Sequence, residues 1–277
     1  MIDWENEWES AHQRSPLKIT AQNEARWRNF WNLDASYYLK EVKWESVIYE
    51  RAVDRLMKEG WIGSNDTVID IGSGPGTFAL PLAPYVRSVT ALDEARGMLD
   101  QLNMECAKRK ICNIMTIDAN WDTFEKTPKY DLVMSALSPA VRTKEDLFEM
   151  EKISKERCCL ISPCPSNWMT ARNDLWTSLV GEFVPSDPYS VKYPLNILME
   201  NRRDLELFRV AAETETMFPS DEVVEHYTNY FSIFTQMTAE KIGIVKQYVE
   251  SRSDDGVMRL KRFKCLNILC WKIPDRS

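Results

Sequence analysis

The sequence is short of histidine, of positive charge and of any long apolar run. Only His12 and His226 occur in 277 residues, too few for a multi-histidine metal centre. The seven cysteines show no C-x-x-C pair and no regular spacing, which excludes the common zinc-ribbon patterns and argues for a reducing, cytoplasmic setting. Cys158 and Cys159 are neighbours on an expected strand, so they should face opposite ways rather than share a metal. No metal is expected. No stretch reaches the roughly 18 consecutive apolar residues of a membrane span. The opening "MIDWENEWESAHQR" is acidic and polar, unlike a secretory or mitochondrial leader. Lys and Arg number 35 against 42 Asp and Glu, a net charge of −7, which does not favour a nonspecific nucleic-acid surface. The one basic cluster, "RLKRFK" (259–264), runs into an apolar strand and is expected to solvate a strand edge.

What is present is a change of period. Residues 1–60 read as helical, with Trp44, Ile48, Ala52 and Leu56 forming one stripe at four-residue spacing. Short β-branched or apolar runs then alternate with helical segments. The expected strands are 67–71, 88–93, 113–118, 130–137 and 158–163, with helices at 78–86, 94–110 and 143–153. Such alternation predicts an α/β fold with a doubly wound, Rossmann-like parallel sheet. Residues 164–203 break the rhythm and read as a helical cap inserted after strand five. A sixth strand (205–218), two helices near 220–234 and 238–252, and a seventh strand (263–273) complete the chain. The expected organisation is an N-terminal helical cap (1–60) on one sheet domain (61–277).

Three of the nine glycines crowd into "DTVIDIGSGPGTFALPL" (66–82), between a strand and a helix. Such a turn brings a ligand to the backbone and to a helix N-terminus. Thr77 stands where the third glycine of a dinucleotide fingerprint belongs, and Asp70 precedes the cluster. An acid there would repel a pyrophosphate and attract an ammonium or sulfonium. Asp93 ends the second strand, 21 positions after Gly72, where an acid can hold ribose hydroxyls. S-adenosylmethionine has all these parts.

On these motifs the chain resembles the class I S-adenosylmethionine-dependent methyltransferases, well over residues 40–163 and by topology beyond. The resemblance implies S-adenosylmethionine as cofactor and S-adenosylhomocysteine as product. It implies a cofactor cradle of Asp70, Gly72, Ser73, Gly74 and Gly76, with Asp93 and Glu94 at the ribose. Met98 and Trp121 would flank the adenine. Asp118 would accept from its amino group, and the Ala119 amide would donate to the ring. Ser135 begins "SALSPAV", where cofactor and acceptor should meet, and Tyr38 (or Tyr37) would close over the cofactor carboxylate. "SALSPAV" departs from the acid-proline motif of amino-directed nucleic-acid methyltransferases, which argues against base N-methylation.

The acceptor is less legible. His226 is a candidate general base, although a surface or satisfied histidine is the default reading. His12 should be solvated. Cys164 follows strand five, where pyrimidine C5 methyltransferases of RNA hold a nucleophile, and its bland reading is a small residue at the pocket edge. Trp27, Trp31, Trp168, Trp176, Tyr189, Tyr193 and Met199 fit an aromatic lid over a small acceptor. Arg172, Arg202 and Arg203 could bind an acidic group on it, or simply solvate helix faces. The expectation is therefore methyl transfer to a small molecule. The alternatives are a methyltransferase of RNA or protein side chains, and a non-catalytic subunit that binds S-adenosylmethionine.

Overall fold

The computed structural model describes residues 2–127, 129–164, 170–182 and 187–274. Three helices come first: α1 (Trp4–Arg14), α2 (Glu24–Trp44) and α3 (Ser46–Lys58). The sheet then winds through β1 (Thr67–Ile71), α4 (Ala79–Leu82), β2 (Ser88–Asp93), α5 (Arg96–Arg109) and β3 (Ile114–Asp118). It continues through β4 (Tyr130–Ala136), α6 (Lys144–Ile153) and β5 (Ser154–Pro163). Helices α7 (Thr170–Leu179) and α8 (Lys192–Glu200) precede β6 (Asp204–Pro219). Last come α9 (Ser220–Phe231), α10 (Ala239–Glu250), the short β7 (Ser253–Asp254) and β8 (Val257–Lys272).

The strand order is β3-β2-β1-β4-β5-β8-β6, with β7 paired to β8. The first five strands are parallel, and β8 runs antiparallel between β5 and β6. The order reverses between β1 and β4, so a crevice opens beyond their carboxyl ends, the usual ligand position in a doubly wound sheet. Both sheet faces are covered. Val68 packs with Ile48, Ala52 and Leu56 of α3, while its neighbour Ile69 packs with Leu147 and Met150 of α6. That explains why the parallel strands read as continuous apolar runs rather than alternating ones. Cys158 and Cys159 divide between the same two faces.

A third cluster lies above the carboxyl ends. Trp27 and Phe30 of α2, Leu175 and Trp176 of α7, Tyr227 and Tyr230 of α9, and Val245 and Val249 of α10 meet there. The cap thus draws on α9 and α10 as well as on the N-terminal helices and α7. Helix α8 lies elsewhere, burying Tyr193 and Ile197 with Trp8 in the cluster that holds Ile69.

Five local expectations change. The stripe at 44–56 is interrupted, because α2 ends at Trp44, which is exposed, and the stripe's other three residues, Ile48, Ala52 and Leu56, are buried on α3 together with Tyr49 and Val53. The proline-punctuated segment before β6 contains α8, with Pro194 in its first turn, where a missing N–H costs nothing. Strands β6 and β8 are each 16 residues long. The basic cluster 259–264 lies on β8 with period two, so it does not simply solvate an edge. Arg262 turns inward to Glu41 at 2.5 Å and Lys264 to Glu45, while Arg259, Lys261 and Phe263 face out. Finally, Cys164 and Cys265 are joined in a disulfide across β5 and β8, a pairing the irregular spacing gave no sign of.

Candidate active site

The crevice holds two adjoining cavities. The first, of about 130 Å³, is lined by the loops after β1, β2, β3 and β4 and by α2. Gly72 has φ +70, and a Cβ built on it would lie 1.9 Å from Ser138 Oγ. Only glycine lets the loops after β1 and β4 close on one another there. The second loop is itself fixed: Thr143 and Asp146 cap α6 reciprocally, the Asp146 carboxylate also accepting from the Arg142 N–H at 3.0 Å.

Asp70 lies under this turn, 1 % exposed, and neither carboxylate oxygen finds a well-aligned hydrogen bond. Burial, then the negative charge of Asp93, pushes its carboxyl up to about 7; the Ala79 N–H compensates only in part. The Ser73 hydroxyl, also buried, lacks a partner as well. Buried polar groups are normally satisfied, so this cluster is shaped for a polar, cationic guest. Asp93 is better placed. Its carboxylate accepts from the Gly74 N–H and the Ala95 N–H, each at 2.8 Å, and burial outweighs these bonds to raise it to about 6.

Ten expected site residues line this cavity: Asp70, Gly72, Ser73, Gly74, Tyr38, Asp93, Glu94, Met98, Ala119 and Trp121. Glu94 is gripped across the mouth by Asn120 Nδ2 at 2.7 Å and Arg28 Nε at 3.4 Å. Tyr38 reaches in from α2, within hydrogen-bond range of Thr77, whereas Tyr37 faces only the second cavity.

Three expected residues lie outside. A Cβ on Gly76 would meet Leu102 at 2.5 Å and Leu80 at 2.9 Å, so this glycine serves the packing of α4 on α5. Ser135 is wholly buried and donates to the Ile71 carbonyl at 3.0 Å, stitching β4 to β1. Asp118 is exposed and does not line the cavity. The Ala119 N–H, expected at the adenine ring, donates to the Asp93 carbonyl at 3.1 Å. Ser138, Arg28 and Asn120 line the cavity without having been expected, and Trp31, expected in the lid over the acceptor, lines it too. Ser138 sits inside "SALSPAV", three residues past the serine that was singled out; Asn120 sits between the expected Ala119 and Trp121; Arg28 carries no motif.

The second cavity, of about 220 Å³, lies under the cap. It shares Trp27, Trp31, Tyr38, Leu137, Ser138 and Pro139 with the first. Tyr189, Tyr227 and Tyr230 add aromatic wall. Of the expected lid residues, Trp27, Trp31 and Tyr189 line it. Trp176 is core to the cap and Tyr193 packs beneath α8. Met199 is exposed, and Trp168 lies outside the described residues.

His226 is buried at this wall, Nδ1 lying 2.8 Å from Asp34 Oδ1, and the Tyr37 ring stacks on it at 4.3 Å. Burial raises the Asp34 carboxyl, against the pull of His226. Burial opposes the charge on Glu41, yet Lys264 and Arg262 outweigh it and hold that carboxyl at about 2. Burial and the Glu41 charge raise the carboxyl of Glu45. His12 is not solvated: it is half-buried against Trp8 and Tyr189, and burial, then Arg142, lowers it to about 4. Cys265 lines the cavity, and Cys164, bonded to it, has no thiolate to offer while the disulfide stands. Among the described residues no group of three or more His, Cys, Asp or Glu is placed to hold a metal ion, and no helix is long and apolar enough to cross a membrane.

Comparison with known proteins agrees with this architecture. Residues 68–154 match a family model described as a methyltransferase domain. An uncharacterized protein of Haemophilus influenzae is 32% identical over 124 residues, 41% of this chain and 46% of that protein. A "Probable ribosomal RNA small subunit methyltransferase A" of Methanosphaera stadtmanae is 32% identical over 93 residues, 33% of each chain. The chain therefore spans less than half the length of these curated relatives. The crystal structure of magnesium protoporphyrin IX methyltransferase from Synechocystis superposes with a TM-score of 0.51 at 12% identity. It covers 91% of this chain and 95% of that one, a likeness of fold.

The fold is that of a Rossmann-like α/β protein, and the methyltransferase-domain match includes its acid-and-glycine turn. Residues 68–154, from β1 to the start of β5, carry the methyltransferase-domain match, and over this segment the chain is similar to the class I S-adenosylmethionine-dependent methyltransferases.

Proposed function

We propose that the protein transfers the methyl group of S-adenosylmethionine to a small molecule held in the second cavity. The observation that carries this reading is Asp70, a buried acid without a well-aligned partner at the floor of the first cavity. Its environment fits the cofactor's amino-acid end. The Asp70 carboxylate would hold the ammonium and the Ser73 hydroxyl the carboxylate. Asp93, with lone pairs left over from its two amide bonds, would take the ribose hydroxyls. Met98 and Trp121 would flank the purine, with Asn120 at its edge in place of the exposed Asp118.

When bound, S-adenosylmethionine supplies an activated methyl on a sulfonium. The chain's own task is then to align the acceptor and exclude water. Leu137, Ser138 and Pro139 form the seam between the cavities, and transfer would cross it. A protic acceptor must lose a proton, and His226 is the group placed to take it. Its Nδ1 is held by Asp34, which leaves Nε2 as the basic atom, with no hydrogen-bond partner among the described residues.

The aromatic enclosure and the net charge favour a small acceptor over RNA. The name of the Methanosphaera relative keeps the RNA reading as the rival, and co-purification with RNA released by salt would favour it. Calorimetry with S-adenosylhomocysteine tests the main reading. One site is expected, weakened at least tenfold by Asp70→Asn; no binding to the pure protein would sink it.

A further inference from the structure

We propose that the methyl acceptor is a compact aromatic acid, whose carboxylate or phosphate is held by Arg172 in the second cavity while a separate protic group receives the methyl. This rests on the methyl-transfer reading above and adds the acceptor's chemical class.

The charges of the cavity wall carry the inference. Arg262 is matched by Glu41 at 2.5 Å, and Lys264 by Glu45. Arg172 lines the same wall and has no carboxylate within 4 Å among the described residues; its guanidinium lies 4.3 Å over the Tyr230 ring. The other two arginines expected to meet an acid do not compete. Arg203 is spent on Glu151 at 2.7 Å, and Arg202 follows α8; neither lines the cavity. Arg172 is half-buried and unmatched in an aromatic enclosure, and an uncompensated cation there is stabilised by an incoming anion.

Two further unpartnered donors belong to residues that line the same cavity. The Tyr230 hydroxyl is buried in a residue 1 % exposed, and Trp27 Nε1 in a residue 9 % exposed. Arg172 is near enough to stabilise the Tyr230 oxygen, but no well-aligned hydrogen bond forms. Indole N–H is a donor only, and Trp27 Nε1 is left without an acceptor. A guanidinium, a phenol and an indole N–H without partners are together the donor set of an oxyanion site. The remaining walls, Tyr37, Tyr189 and Tyr227, suit a flat apolar body.

Two acids lie near this set: Glu41, which is paired with Arg262, and Asp34, which is bound to His226. That pair also indicates which end of the acceptor reacts. An ionised acid needs no base to accept a methyl group, whereas a hydroxyl or amine does. The anion is therefore the handle, and the protic group faces His226. In the transfer the acceptor's O or N bonds to the methyl carbon, the carbon–sulfur bond breaks with its electron pair going to sulfur, and the proton passes to His226.

The test uses the full chain saturated with S-adenosylhomocysteine. Calorimetric titration compares 4-hydroxybenzoate, phenyl phosphate and, as neutral probe, 4-hydroxybenzamide. At least one acid should bind ten times tighter than the amide, and the stronger of the two tells carboxylate from phosphate. Arg172→Gln should erase that preference, and Arg172→Lys should keep part of it, with S-adenosylhomocysteine affinity unchanged in both. Equal or absent binding of acids and amide overturns the proposal, as does an acid preference that survives Arg172→Gln. Failure of S-adenosylhomocysteine itself to bind overturns instead the methyl-transfer reading on which it stands.

Discussion

Ser138 Oγ occupies the space that a side chain on Gly72 would need, 1.9 Å from the position of its Cβ. The contact joins the loop after β1 to the loop after β4, across the point where the sheet order reverses. Gly72→Ala should thus suffer twice. The left-handed backbone costs about 1–2 kcal/mol in a residue with a Cβ, and Ser138 must move. The double variant Gly72→Ala/Ser138→Gly should recover the steric part and leave the backbone part. Melting temperatures of the three proteins check this; a double variant no more stable than Gly72→Ala would remove the contact from the account.

Asp70→Asn should separate binding from stability. Losing a charge-assisted contact to an ammonium costs about 1.5–3 kcal/mol, roughly 10- to 150-fold in S-adenosylhomocysteine affinity. The ligand-free protein should melt higher than the parent near pH 8, because an ionised buried acid without a well-aligned partner has been removed.

The same residue sets a pH dependence. Folding raises the Asp70 carboxyl to about 7, from about 4 in an unfolded chain. The group's contribution to stability is then full at low pH and is lost as pH rises through about 7. The advantage of Asp70→Asn in melting temperature should be largest near pH 8 and fade toward pH 5. Ligand affinity runs the other way, since the ammonium needs the ionised acid. It should fall below pH 7 by up to about tenfold per unit, and Asp70→Asn should flatten that slope down to about pH 6, where Asp93 begins to take up its own proton. A slope unchanged by the substitution would exonerate Asp70.

The disulfide makes a count. Five cysteines are free and two are joined, so protein denatured without reductant should titrate five thiols, and seven after reduction. The bond closes a loop of 101 residues, and its loss should cost about 2–4 kcal/mol of stability, the usual range. Seven thiols before reduction would show Cys164 free and reopen its candidacy as a nucleophile.

His226→Gln should leave S-adenosylhomocysteine affinity unchanged, since His226 touches only the second cavity. With a protic acceptor, turnover should drop about 10²- to 10⁴-fold, the usual contribution of a general base. Asp34→Asn, which removes the charge that orients the ring, should shift the pH profile as well as the rate. A profile that does not move would leave Asp34 a purely structural partner.

The parallel half of the sheet was legible because each strand is buried on both faces and each helix follows within a few residues. Part of the first cavity's lining was legible because its glycines and acids are close in sequence. Legibility ended where partners are distant. Arg262 and Lys264 looked like a solvated run because Glu41 and Glu45 lie more than 200 positions away. The disulfide joins residues 101 apart. His226 needed Asp34, 192 positions earlier, to become more than a lone histidine. Asp118 ends β3 as expected, but its side chain is exposed, and the neighbouring Asn120 lines the cavity.

Helix α2 walls both cavities with Trp27, Trp31 and Tyr38, whereas α7 and α9 touch only the second. The molecule is therefore unevenly editable. Substitutions on α2 should disturb donor and acceptor together, so drift there is constrained. The faces of α7 and α9 can vary while the donor site keeps its grip. A change of acceptor, by selection or by design, has its open route through Arg172, Tyr227 and Tyr230.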